Sequence, residues 1–202
     1  MLRKIVLISL LISSVGHAQQ IAGSKHDFSV GSGRIEIAGE FEICVFCHTP
    51  HHATLEAAPL WDHETTVANF EIYTSPTLDA DDIGQPSGIS KLCLSCHDGS
   101  VAVDSYGGNT GYLKVNSATT KIGTDLSNNH PISFLYDTSL ADADGFLEDP
   151  DANWTVSDLL FENKVECPSC HDVHNNAPIP FNFKLLRLSN DDSALCLTCH
   201  IK

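Results

Sequence analysis

Residues 44–48 read CVFCH, and the same five-residue form returns as CLSCH (93–97), CPSCH (167–171) and CLTCH (196–200). Every one of the eight cysteines lies in such a C-x-x-C-H unit and none is left over. Random placement of 8 Cys and 11 His among 202 positions predicts roughly 0.02 matches. The pattern is therefore a design, and it decides how the rest of the chain is read.

Two thiols three residues apart can add to the two vinyl groups on one edge of a haem. The histidine that follows then lies under the iron as its proximal ligand. Cys44, Cys47, Cys93, Cys96, Cys167, Cys170, Cys196 and Cys199 are thus candidate attachment points for four covalent c-type haems. His48, His97, His171 and His200 are the candidate proximal ligands. Three alternatives fit less well. Zinc ribbons use paired C-x-x-C units but give no reason for a histidine after every second cysteine. A thioredoxin-like redox motif is expected once, within a βαβ pattern. A disulfide framework does not require this spacing four times.

A six-coordinate iron needs a second axial ligand. Met1 is the only methionine, so methionine ligation is excluded and histidine remains. The internal repeat selects four histidines. The first and third units extend to C-x-x-C-H-x-x-H, which adds His51 and His174. The second and fourth share S-x-L-C-L-[ST]-C-H, and each half carries one isolated upstream histidine, His26 and His130. The pattern H … C-x-x-C-H-x-x-H … C-x-x-C-H occurs twice, giving two dihaem halves at roughly 19–100 and 125–202. His51 cannot bind the iron of His48, because the two axial positions face opposite sides of the ring. It can bind a neighbouring haem's iron, and His174 should do the same. His52 and His63 have no counterpart in the second half and are expected at the surface or against propionates.

Arg3 and Lys4, the apolar run Ile5–Ile12 and the small residues Gly16 and Ala18 predict a signal peptide over residues 1–18. The run is too short to span a bilayer, and no membrane span is expected elsewhere. The expected location is outside the inner membrane: extracellular or at the cell surface, alternatively periplasmic. The formal charge is −15, and removing Arg3 and Lys4 takes it to −17. Such a surface repels nucleic acid and anionic lipid.

From Gln19 onward, 184 residues would serve four haems, or 46 each. That is too little protein to enclose every haem separately, so the porphyrins must supply much of the core. The expected fold has few secondary structures: mostly coil with short α-helices, organised by haem. Helices are predicted over Ile89–His97 and, behind a Ser189 or Asn190 cap, over Asp191–His200. Ile35–Ile37 and Tyr112–Val115 are weak strand candidates. Val101–Asp125 is expected as a surface loop and Asp142–Asp151 as a solvated acidic loop.

The segments KHDFS (25–29), EICVFCHTPH (42–51), APLW (58–61), QPSGISKLCLSCHDG (85–99), GTDLSNNHPISF (123–134) and LCLTCH (195–200) resemble exported multihaem c-type cytochromes with paired haem motifs, as in metal-reducing bacteria. Within that group the chain is similar to the tetrahaem OmcE-type cytochromes, whose members polymerise into extracellular filaments. His52 and His63 depart from their pattern. The resemblance implies distal ligands at His26, His51, His130 and His174, in agreement with the repeat. It also implies electron transfer rather than catalysis, with redox proteins or extracellular acceptors as partners. A head-to-tail homopolymer is the implied assembly, with His26 serving its own subunit or the next. The alternatives are a monomeric periplasmic shuttle and a small nitrite- or hydroxylamine-type multihaem reductase with one open iron.

Overall fold

The computed structural model describes residues 21–32, 35–51, 53, 59–81, 83–174 and 185–201. The expected signal peptide and His52 lie outside the described residues.

Secondary structure is sparse, as expected. In chain order it comprises α1 (Gly88–His97), β1 (Phe134–Leu135), α2 (Thr138–Asp144), α3 (Trp154–Leu159), β2 (Lys164–Val165), α4 (Cys167–Cys170), a 3-10 turn (Asp191–Ser193) and α5 (Ala194–Leu197). β1 and β2 pair antiparallel, Phe134 opposite Val165. No described helix is long and apolar enough to cross a membrane.

Two small apolar clusters hold the chain. Phe134, Tyr136, Ala141, Val156 and Val165 form one, with Cys199 against its edge. Phe70, Leu94 and Leu126 form the other. A third contact is aromatic: buried Phe46, inside the first motif, meets Phe28 and Tyr106 edge-on at centroid distances of 5.6 and 5.4 Å. All three lie beside a motif: Cys199 edges the first, and in the other two a residue between the cysteines, Phe46 or Leu94, turns inward.

Helix boundaries follow local chemistry. The Asp137 side chain accepts from Leu140 N at 3.0 Å and starts α2. Gly145, at φ 71°, ends it in the left-handed conformation that costs glycine least. The acidic stretch 142–151 is therefore partly helical. The Asp149 carboxylate within it accepts from Thr138 Oγ1 at 2.7 Å rather than facing only water.

Three other expectations are corrected. Ile35–Ile37 and Tyr112–Val115 are coil: neither pairs with a strand among the described residues, and Tyr112 is 82% exposed. The stretch 101–125 is irregular but does not lie wholly on the surface. Val101, Ala102, Val103 and Ser105 are buried, and Val103 N donates to Leu113 O at 2.8 Å. The C-terminal helix is broken, because Asp192 and Ser193 adopt φ of 51° and 66°. The last turn takes its direction from residues 146–148: Glu148 N donates to Cys199 O and Ile201 N to Phe146 O.

Candidate haem-binding site

Each motif closes on itself as one helical turn. His48 N donates to Cys44 O (2.9 Å), His171 N to Cys167 O (3.1 Å) and His200 N to Cys196 O (3.0 Å), while the second motif occupies α1. On a helical turn, positions i, i+3 and i+4 share one face. Both cysteines and the histidine therefore point the same way, as one ring attached at an edge and ligated from below requires.

The histidines meet in facing pairs. The ring centroids of His26 and His97 are 6.0 Å apart, those of His48 and His174 6.2 Å, and those of His130 and His200 6.3 Å. A histidine–metal bond of about 2.0 Å, with each nitrogen about 1.1 Å from its ring centre, puts two imidazoles on opposite sides of one metal about 6.2 Å apart. The three gaps match that span. The His48 and His174 rings are inclined by only 28° to each other, whereas the other two pairs meet at 51° and 71°. Among the described residues no group of three or more His, Cys, Asp or Glu converges as a bare cation site would. Paired imidazoles beside paired thiols fit a metal that brings its own equatorial ligands, as haem does.

Backbone carbonyls fix the ring orientations. His48 Nδ1 donates to Pro59 O (2.8 Å), His97 Nδ1 to Thr120 O (2.7 Å) and His130 Nδ1 to Pro131 O (2.8 Å). A carbonyl only accepts, so Nδ1 carries the proton and Nε2 keeps its lone pair for a metal. Trp61 meets the His48 ring edge-on at 5.9 Å and anchors itself by donating Nε1–H to His63 O. His174 Nδ1 lies 3.7 Å from the Asp172 carboxylate. His26 Nδ1 is buried without a hydrogen-bond partner. Burial, then the neighbouring His97, His174 and His171, pull the His26 pKa down to about 4. It is therefore neutral at pH 7, which is the ligating form. Burial, with His130 nearby, lowers His200 too, against a smaller opposing effect of Asp144.

His63 is buried at 3% exposure, not at the surface. Its Nδ1 lies 2.8 Å from Glu64 O and its Nε2 2.9 Å from Ala102 O; both are acceptors, so a neutral ring donates to one of the two. Its Nε2 also lies 3.6 Å from Cys96 Sγ. Its role is to hold the chain around the second motif. His51 is exposed, with no ring contact among the described residues. His171 sits where the backbone pairs with Leu186, and Arg187 N donates to Cys170 O (2.9 Å).

The attachment cysteines run through the molecule in sequence order. Cys47 lies within electrostatic reach of Cys93 and Cys96, Cys93 lies near Cys167, and Cys170 neighbours Cys196 and Cys199. Burial pushes the Cys47 thiol up to about 11, Cys96 to about 12 and Cys199 to about 11. Before attachment these groups are thiols rather than thiolates at neutral pH. The carbonyl anchors on Pro59, Thr120 and Pro131 had no signal in the sequence, because any residue supplies a carbonyl. Trp61 was visible only as part of APLW.

Residues 161–202 match the doubled CXXCH motif family. The match takes in the third and fourth motifs and supports a multihaem c-type cytochrome that binds haem c covalently through CXXCH units and transfers electrons. No curated protein sequence matches the chain.

Proposed function

We propose that the protein is an electron carrier with four covalently bound haems, one at each C-x-x-C-H unit, and two histidines on every iron. The facing histidine pairs carry this reading. His48 and His174 would hold the first haem, His97 and His26 the second, and His200 and His130 the fourth. His171 would hold the third, with His51 opposite by the logic of the repeat: His174, three residues after the third motif's histidine, faces the first motif, so His51 should return the exchange. Bound haem supplies reversible one-electron chemistry. The chain supplies orientation, through carbonyls that keep Nε2 of His48, His97 and His130 free, and proximity, through cysteines adjacent from motif to motif. Two histidines on every iron would leave none open to a substrate, which favours an electron carrier over an enzyme.

Export and an extracellular role as a filament subunit follow from the signal-like N-terminus and the resemblance to filament cytochromes, with redox proteins or extracellular acceptors as partners. The His26 arm lies against His97 of its own chain, which supports ligation within the subunit. A filament would then join through surfaces other than this ligand. A monomeric shuttle uses the same haem chain without the assembly.

One observation keeps a second reading in view. The exposed His51 ring makes the third haem the one site where an iron could stay open, as a small reductase requires.

Intact-mass spectrometry after acid and acetone extraction should give four covalent haems, and fewer would defeat the assignment. Carbon monoxide should not bind the reduced protein rapidly. Binding at a single haem would favour the reductase. His51→Ala should create one high-spin haem and His52→Ala none, and the reverse result would move the ligand by one residue.

A further inference from the structure

The second and third motifs belong to different halves of the repeat, yet their helices, α1 and α4, pack together at a buried polar junction. Glu166, which immediately precedes Cys167, is 3% exposed. Its Oε2 accepts from Ser90 N (3.2 Å), in the first turn of α1, and from Ser133 Oγ (3.1 Å). In return Ser90 Oγ accepts from Cys167 N (2.8 Å), in the first turn of α4. Each helix thus satisfies an N–H that the other cannot satisfy internally. Ser133 Oγ also accepts from Ser87 N (3.1 Å), and Glu166 N donates to Ser169 Oγ (2.9 Å). Ser90, Ser133 and Ser169 are buried as well. Gly88 stands at φ 52°, and a Cβ there would come within 3.0 Å of Glu166 Oε1, so this glycine lets the carboxylate approach.

A helix end needs no such device for its own stability, because water or a surface serine caps it equally well. A carboxylate removed from water and held by neutral donors is costly to assemble and costly to break. What it provides is fixed geometry. Ser90 is one helical turn before Cys93, and Glu166 is bonded to Cys167 through the chain. The Cys93 and Cys167 thiols lie close enough to influence each other's charge. Neither the first nor the fourth motif carries a buried glutamate before its first cysteine: Ile43 and Leu195 stand there.

We infer that Glu166 and Ser90 are positioning residues that set the distance and angle between the second and third haems, and so the electronic coupling between the two halves. This rests on the proposed attachment of haem at all four motifs. The charge has a separate consequence: a buried carboxylate disfavours adding an electron nearby, so it lowers the potentials of the haems beside it.

The test uses the full haem-loaded protein and compares wild type, Glu166→Gln, Glu166→Ala and Ser90→Ala. Haem count comes from intact mass, haem–haem geometry from the paired Soret circular-dichroism signal, and potentials from redox titration. Glutamine keeps an acceptor where Oε2 stands and removes only the charge. Glu166→Gln should keep the wild-type Soret couplet while one or two haems titrate at higher potential. Glu166→Ala should reduce the couplet, since coupling between two ring transitions falls steeply with their separation and depends on their angle. Ser90→Ala should fall between them. A wild-type couplet in both alanine variants, with four haems present, overturns the inference. So does a glutamine variant that loses the couplet as alanine does. If Glu166→Ala fails to load haem, Ser90→Ala decides on the same criterion. Fewer than four haems in the wild type would instead defeat the underlying haem assignment.

Discussion

The two halves of the chain share a ligand pattern but not a fold. The first half keeps His26 facing His97, and the second keeps His130 facing His200, so each closes one pair within itself. Around those pairs the polypeptide differs. Among the described residues the first half has a single helix, α1, and its first motif is a lone turn packed on Phe46. Those of the second half form four short helices, a two-stranded pairing and an apolar cluster around Val156. The third pair, His48 with His174, belongs to neither half and joins them. What repeats is the placement of thiols and imidazoles, and the coil between them is free to vary so long as those groups arrive.

That contrast gives a ranking of damage. His174→Ala should destabilise most, by about 3 kcal/mol or more in the haem-loaded protein, because it removes ligation and a link between halves together. Chemical denaturation followed in the Soret band checks it; a loss no larger than that of His26→Ala would show that the crossing pair carries no special weight. His26→Ala and His130→Ala should each cost about 2 kcal/mol and leave one high-spin haem, with hydrogen-exchange protection lost mainly in the half that carries the substitution. His63→Ala should lower stability by about 1–2 kcal/mol, by removing a buried ring and its hydrogen bond to the carbonyl of Glu64 or Ala102, with every haem still low-spin. A high-spin signal there would make His63 a ligand. Gly145→Ala, at the left-handed end of α2, should cost about 1 kcal/mol and leave all haem spectra unchanged.

The sequence was most legible where chemistry dictates residue type. The thiol spacing, the following histidine and the repeat pointed to the residues that the structure gathers at His26–His97, His48–His174 and His130–His200. The sparse architecture was legible as well, from too few residues per haem. The strands expected at 35–37 and 112–115 failed because β-forming residues need a partner strand, and no local pattern reveals whether one exists. The broken C-terminal helix failed for a related reason: its last turn obeys backbone pairing with residues some fifty positions earlier. The burial of His63 and the junction at Glu166 depend on contacts between distant segments, Ala102 for one and Ser90 for the other. Neither position carries a local signature.

The most direct test is the high-spin fraction of ferric His174→Ala, measured by low-temperature electron paramagnetic resonance and divided by the total covalent haem from intact mass. Wild type should show four haems and no high-spin iron. The variant should show four haems with one of them high-spin, the one attached at Cys44 and Cys47. A variant with four haems and no high-spin iron would contradict the pairing of His48 with His174, and with it the claim that a shared iron joins the two halves.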